Sequence, residues 1–169
     1  MKLIWSPAIT LDGYIAKSDG NSDWVSVKDG ELFHRLVRQS GCVIVGRRTF
    51  EQYKGTVFPV DGAMTFVWTQ HLEGTVKVAG TEYLTGEPAE VLKQIENKGI
   101  ETGVLAGGGF TNNAFVSQGL INEVIITIYP LLFGSGIQLL SEQTFLKLEL
   151  LETENMGDGV IRSHYKVNT

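Results

Sequence analysis

Cysteine, histidine and proline are scarce in this 169-residue chain, with one, three and four of each, and each scarcity closes off some chemistry. The lone thiol, Cys42, cannot form a disulfide within the chain. It heads an apolar run, which suits a buried structural role better than that of a nucleophile. No pair of histidines or cysteines has metal-ligand spacing, so no metal is expected. There is no Walker lysine motif and no serine-centred nucleophile elbow. Basic residues do not cluster beyond Arg47-Arg48, and the net charge is −5. A nucleic acid or an anionic membrane would find no electrostatic footprint on such a chain. No stretch approaches transmembrane length, and the apolar run at the start is too short for a signal peptide, so a cytoplasmic location is expected.

Forty-three per cent of the residues are hydrophobic and 20% are charged, enough for a full core in one compact domain over residues 1–169. Lys2 to Ile9 reads as a first strand. A long polar segment, Thr10 to Asp29, follows, and a loop of that length is expected to serve as a lid or a substrate wall. Gly30 to Ser40 places Leu32, Phe33, Leu36 and Val37 on one helical face, with Gly41 as its stop. Cys42 to Val45 and Met64 to Trp68 are continuous apolar runs, as strands buried on both faces require. A short helix through Tyr53 separates them. A short strand is expected around Val76 to Val78, then a helix punctuated by Pro88 and Gly99. Glu123 to Tyr129 is a further strand, and Leu131 to Gln138 reads as a connection. The tail alternates on either side of a turn at Asn155 to Gly159, as an antiparallel hairpin at a sheet edge would.

The chemistry gathers at three strand ends. The apolar run before Gly107-Gly108-Gly109 leads straight into a helix from Phe110. Glycines there let backbone approach a ligand, and a helix start offers unpaired N–H groups to an anion. Gly46-Arg47-Arg48-Thr49 places two arginines where the helix dipole disfavours them, which suggests a compensating anion. Thr69-Gln70-His71 is a polar loop suited to phosphate or ribose. In an open α/β sheet, ligands bind outside the carboxyl ends of the strands. Three such loops together suit a dinucleotide better than one inorganic anion. The usual dinucleotide fingerprint is incomplete, since Asn112 occupies the place of its third glycine.

In order along the chain, several motifs together resemble the dihydrofolate-reductase-like family. They are Ile9 to Ala16, Asp23-Trp24, Val45 to Glu51, Ala106 to Gly109, Gly119 to Glu123 and Pro130 to Gly136. The likeness is strongest to the C-terminal reductase domain of the riboflavin-biosynthesis deaminase-reductase and its stand-alone relatives. The resemblance implies a mostly parallel sheet of about eight strands with a C-terminal antiparallel hairpin, helices on both faces, and NADPH across the strand ends. Gly46, Arg47, Arg48 and Thr49 would then hold cofactor phosphates. Thr69 and Gln70 would face the adenosine, and Gly107, Gly108, Gly109, Phe110 and Thr111 the pyrophosphate. In relatives a cis peptide can join the first two glycines. Asp12 and Glu31 are the candidate catalytic carboxylates, and with Trp24 they are the candidate substrate contacts. Asp12-Gly13 equally suits a simple turn, and Trp24 equally suits a core cap.

The expected activity is hydride transfer from NADPH to a C=N or C=O group of a small heterocycle, pterin-like or ribosylaminopyrimidine-like. A non-catalytic nucleotide- or small-molecule-binding protein on the same scaffold is the alternative, and a general flavin or quinone reductase a third possibility. A homodimer through the sheet edge is expected from the relatives.

Overall fold

The computed structural model describes residues 1–141 and 144–168. It is built on one large sheet. β1 (Lys2–Trp5), β4 (Cys42–Gly46), β5 (Met64–Trp68), β6 (Thr81–Leu84), β7 (Thr102–Gly107) and β8 (Glu123–Tyr129) run parallel to one another. β10 (Lys147–Gly157) and β11 (Val160–Asn168) form an antiparallel hairpin that extends the sheet beyond β8. The order is β10-β11-β8-β1-β7-β4-β5-β6, with β2 (Ala8–Thr10) also paired to β8. The expected mostly parallel sheet with a terminal hairpin is thus what the chain forms.

Each central strand is apolar on both sides because both faces of the sheet are covered. Cys42, Ile44, Phe66, Trp68 and Leu105 join one core cluster with Phe115 of α4 (Gly109–Ser117) and Val91 and Ile95 of α3 (Pro88–Glu96). The alternate residues Val43, Val45, Val67 and Val104 join Val37 of α1 (Val27–Ser40) and Phe50 of α2 (Arg47–Tyr53) on the other face. Burial pushes the Cys42 thiol up to about 12, the state of an inert structural cysteine. Ser26 caps α1 by accepting the Asp29 amide, and Gly41 ends the helix at φ 90°, a left-handed conformation costly for other residues.

Three local expectations differ from the structure, besides the start of α1, which lies at Val27 and not at Gly30. The first strand breaks at Ser6-Pro7, because proline lacks the N–H a sheet ladder needs, and the chain resumes as β2 on β8. The strand expected at Val76 to Val78 lies instead at β6, after a turn in which Thr81 donates to Val78. Finally, the segments read as loop and connection hold two short strands, β3 (Tyr14–Ala16) and β9 (Ile137–Gln138), which pair as a separate flap.

Candidate active site

The carboxyl ends of β4, β5 and β7 open into a cleft of about 640 Å³, within the roughly 300–1,000 Å³ usual for small-molecule sites. Its floor is built from glycine because nothing larger fits. A Cβ on Gly46 would overlap Thr111 Oγ1, and one on Gly108 would lie 2.7 Å from Thr49 Oγ1. That same oxygen accepts the Gly108 amide at 3.1 Å, tying the end of β7 to α2. Gly107 takes φ 91°, and the Gly107–Gly108 peptide is cis. Behind it, Asn112 Oδ1 accepts from the Trp5 indole at 2.9 Å. Gly108 caps α4 without a side-chain hydrogen bond. Gly109, Phe110 and Thr111, which line the cleft, therefore begin a helix whose first N–H groups are left for a ligand.

At the adjoining wall, Phe110 is 66% exposed and stacks on Trp68 with ring centroids 5.5 Å apart. Thr69 turns the chain, its hydroxyl donating to the His71 carbonyl at 2.9 Å. Arg47, Arg48, Thr69, Gln70 and His71 all line the cleft. Arg47 bonds to Glu51 and to backbone carbonyls of the 71–74 segment. Arg48 has no hydrogen bond or ion pair among the described residues. At the opposite end, Ala8, Ile15 and Val25 supply apolar walls and Ser22, Gln52 and Tyr53 the polar groups. The Tyr53 hydroxyl accepts the Ser22 amide at 3.0 Å, and Gln52 Nε2 donates to the Gly20 carbonyl at 2.8 Å, which holds the incoming loop against α2. None of the described residues lining the cleft is acidic.

Of the residues singled out in the sequence for the cofactor, Gly46, Arg47, Arg48, Thr49, Thr69, Gln70, Gly108, Gly109, Phe110 and Thr111 meet here, with Gly107 just behind them. Asp12, Trp24 and Glu31 lie outside the lining. The Asp12 carboxylate accepts Thr10 Oγ1 at 2.6 Å and the amides of Gly134 and Phe133 at 2.7 and 2.9 Å. These bonds, that of Thr10 first, hold its pKa below the ordinary aspartate value. Glu31 is exposed on α1. Trp24 packs edge-on against Tyr129 and Phe133, at 5.0 and 5.7 Å, as a core cap does.

The buried carboxylate is Asp29, two residues before Glu31. It accepts Thr127 Oγ1 at 2.9 Å, and the Tyr129 hydroxyl lies 3.3 Å from its other oxygen. Burial raises its pKa, and the bond from Thr127 opposes the rise. The spacing Ser26-Val27-Lys28-Asp29 is a helix-start signal that places Asp29 four and eight residues before Phe33 and Val37, on the inward face. It starts the helix at Val27, three residues before the expected Gly30.

The model of the RibD C-terminal domain matches residues 1–162. The uncharacterised protein YwjB of Bacillus subtilis is 34% identical over 94% of this chain and 93% of its own. The 2,5-diamino-6-ribosylamino-4(3H)-pyrimidinone 5′-phosphate reductase of Methanothermobacter thermautotrophicus is 24% identical over 94% and 95%. Among solved structures, a candidate riboflavin biosynthesis protein from Shewanella sp. PV-4 covers all of both chains with a TM-score of 0.82 at 24% identity. Dihydrofolate reductase from Enterococcus faecalis, solved with NADP(H), covers 99% and 97% with a TM-score of 0.74 at 16% identity. The latter two likenesses establish a dihydrofolate-reductase-like fold.

Proposed function

The chain belongs to the RibD C-terminal domain family, a family of pyrimidine reductases to judge by its named relatives, and from that membership we propose an NADPH-dependent reductase of a small heterocycle. The observation that carries this is the cleft floor: glycines at 46 and 108 where a Cβ would collide, next to an uncapped α4 start and an exposed Arg48. Backbone so exposed, beside a cation and without an acidic wall, fits a dinucleotide with its charged phosphates. The relative from Enterococcus faecalis was solved with NADP(H), in agreement with that fit.

When bound, the cofactor supplies the hydride. The chain holds its phosphates with Gly108 to Thr111 and Arg48, and its adenosine side with Thr69 and Gln70. Ala8, Ile15 and Val25 exclude water from the reacting end, and Ser22, Gln52 and Tyr53 offer hydrogen bonds to ring nitrogen and oxygen atoms of a heterocycle. Asp12 works from outside the cleft, fastening the segments that carry β3 and β9, whose Ile15 and Ile137 roof the site. A homodimer through the free edge of β10 accompanies this proposal, since Leu148, Leu150 and Leu151 are exposed there.

The test is turnover: purified protein is mixed with NADPH and a panel of pterins and ribosylaminopyrimidines, and nicotinamide absorbance is followed. Oxidation that requires one acceptor class supports the reductase. Tight NADPH binding with no oxidation by any acceptor would favour a binding protein on this scaffold.

A further inference from the structure

The two ends of the cleft differ in charge. Of the 14 lysines and arginines, only Arg47 and Arg48 line the cleft among the described residues, and both stand in the first turn of α2, beside the glycine floor. The far end is walled by apolar side chains such as Ile15 and Val25 and by Ser22, Gln52 and Tyr53, none of which is charged. Tyr53 closes α2, roughly 7.5 Å along the helix axis from Arg48. Two lysines adjoin this end in sequence. Lys17 is met by Asp23, with Nζ 2.9 Å from Oδ1, and Lys54 lies outside the lining.

The polar groups of the far end are largely taken up by one another. Gln52 Nε2 donates to the Gly20 carbonyl at 2.8 Å and to the Tyr53 hydroxyl at 3.3 Å, so both its N–H groups are in use. That hydroxyl also accepts the Ser22 amide at 3.0 Å, which fills its lone pairs. The 2.7 Å contact between the Tyr53 and Ser22 hydroxyls therefore uses the tyrosine proton, and the Ser22 proton stays free. What these side chains leave for a ligand is one donor, the Ser22 O–H, and one acceptor, Gln52 Oε1. A neutral heterocycle with an N–H beside a C=O matches that pair. A phosphate ester brings up to two negative charges and three oxygens that only accept, and a single hydroxyl cannot replace the water it gives up.

We propose that this end selects a heterocycle without net charge and rejects substrates that carry a phosphate or carboxylate there. The proposal rests on the reductase reading, and it narrows the substrate to an uncharged member of the heterocycle class.

The test titrates wild type, saturated with NADP+, with two matched pairs by calorimetry. One pair is 2,5-diamino-6-ribosylamino-4(3H)-pyrimidinone and its 5′-phosphate, the form in the name of the Methanothermobacter relative. The other is 7,8-dihydrobiopterin and 7,8-dihydrofolate, a neutral side chain against glutamyl carboxylates. Turnover of each compound with NADPH is followed in parallel. Expected is binding of at least one neutral member, about tenfold or more tighter than its anionic partner, with kcat/KM in the same order. Gln52→Lys installs a cation at this end and is expected to tighten the anionic partner by about tenfold, closing the gap, with circular dichroism as the check on folding. The wild-type comparison decides the matter if that variant does not fold.

Anionic partners that bind as well as or better than the neutral members would overturn the proposal, as would binding of neither neutral member. A separate NADPH titration of the free protein distinguishes the two failures. Bound NADPH with an anionic preference overturns the substrate class alone, whereas no NADPH binding ends the reductase reading and the substrate class with it.

Discussion

At Asp29 a buried carboxylate faces two hydroxyls, and its raised pKa links it to stability. A folded value above the ordinary 3.8 means that the native state binds the proton more tightly than the unfolded chain. The stabilisation from protonated Asp29 is complete below that ordinary value and is lost as pH rises through the folded one. Asp29→Asn keeps an acceptor for Thr127 without the charge. Urea melts across pH should therefore find the variant gaining on wild type as pH climbs from 3.8; parallel curves would mean that Asp29 does not titrate in this window. Gly46 makes a second case. Alanine there drives a methyl into Thr111, and overpacking of this kind typically costs about 1–3 kcal/mol, readable as a lowered denaturation midpoint. That Gly46, Gly108 and the arginine pair line one cleft was legible in the sequence because punctuation at a strand end has a local cause. Asp29 escapes notice when the helix is started at Gly30, and its partners Thr127 and Tyr129 lie about a hundred residues away.

Among elements, the long apolar strands were readable from period, and α3 and the end of α1 from punctuation, whereas the start of α1 at Ser26 was not. β4, β5 and β8 begin and end within a residue of where the sequence placed them. The flap of β3 and β9 was not readable, because strands of three and two residues are too short to show a period and their pairing joins distant segments. Asp12 clasps the two segments through the amides of Phe133 and Gly134. Asp12→Ala is predicted to speed hydrogen exchange at those amides and to raise the nucleotide dissociation rate without altering exchange in β4. Unchanged exchange at Phe133 and Gly134 would remove Asp12 from any role in holding the flap. Since bonds from Thr10, Gly134 and Phe133 hold the Asp12 pKa down, its clasp is present above the ordinary 3.8 and weakens as pH falls below it.

Across the whole molecule, the sheet order sets β7 between β1 and β4, which brings the glycine run at the end of β7 beside Gly46 and, one strand on, Thr69. The cleft is a consequence of that crossover, and three loops distant in sequence meet there. The terminal hairpin forms one edge of the sheet, where Leu150 of β10 is 56% exposed. If copies pair through this edge, Leu150→Asp should shift sedimentation from dimer to monomer at micromolar concentration while circular dichroism stays unchanged. A wild-type monomer would rule that pairing out.

Trp68 is the natural reporter for the cleft, lying beneath Phe110 at its wall. The most direct measurement is a titration of the protein with NADPH, and separately with NADH, following tryptophan fluorescence in wild type and in W68F. Saturable, salt-sensitive quenching that is tighter for NADPH and mostly lost in W68F is the predicted result. Fluorescence unmoved by either nucleotide would contradict the account and leave the glycine floor as a structural turn.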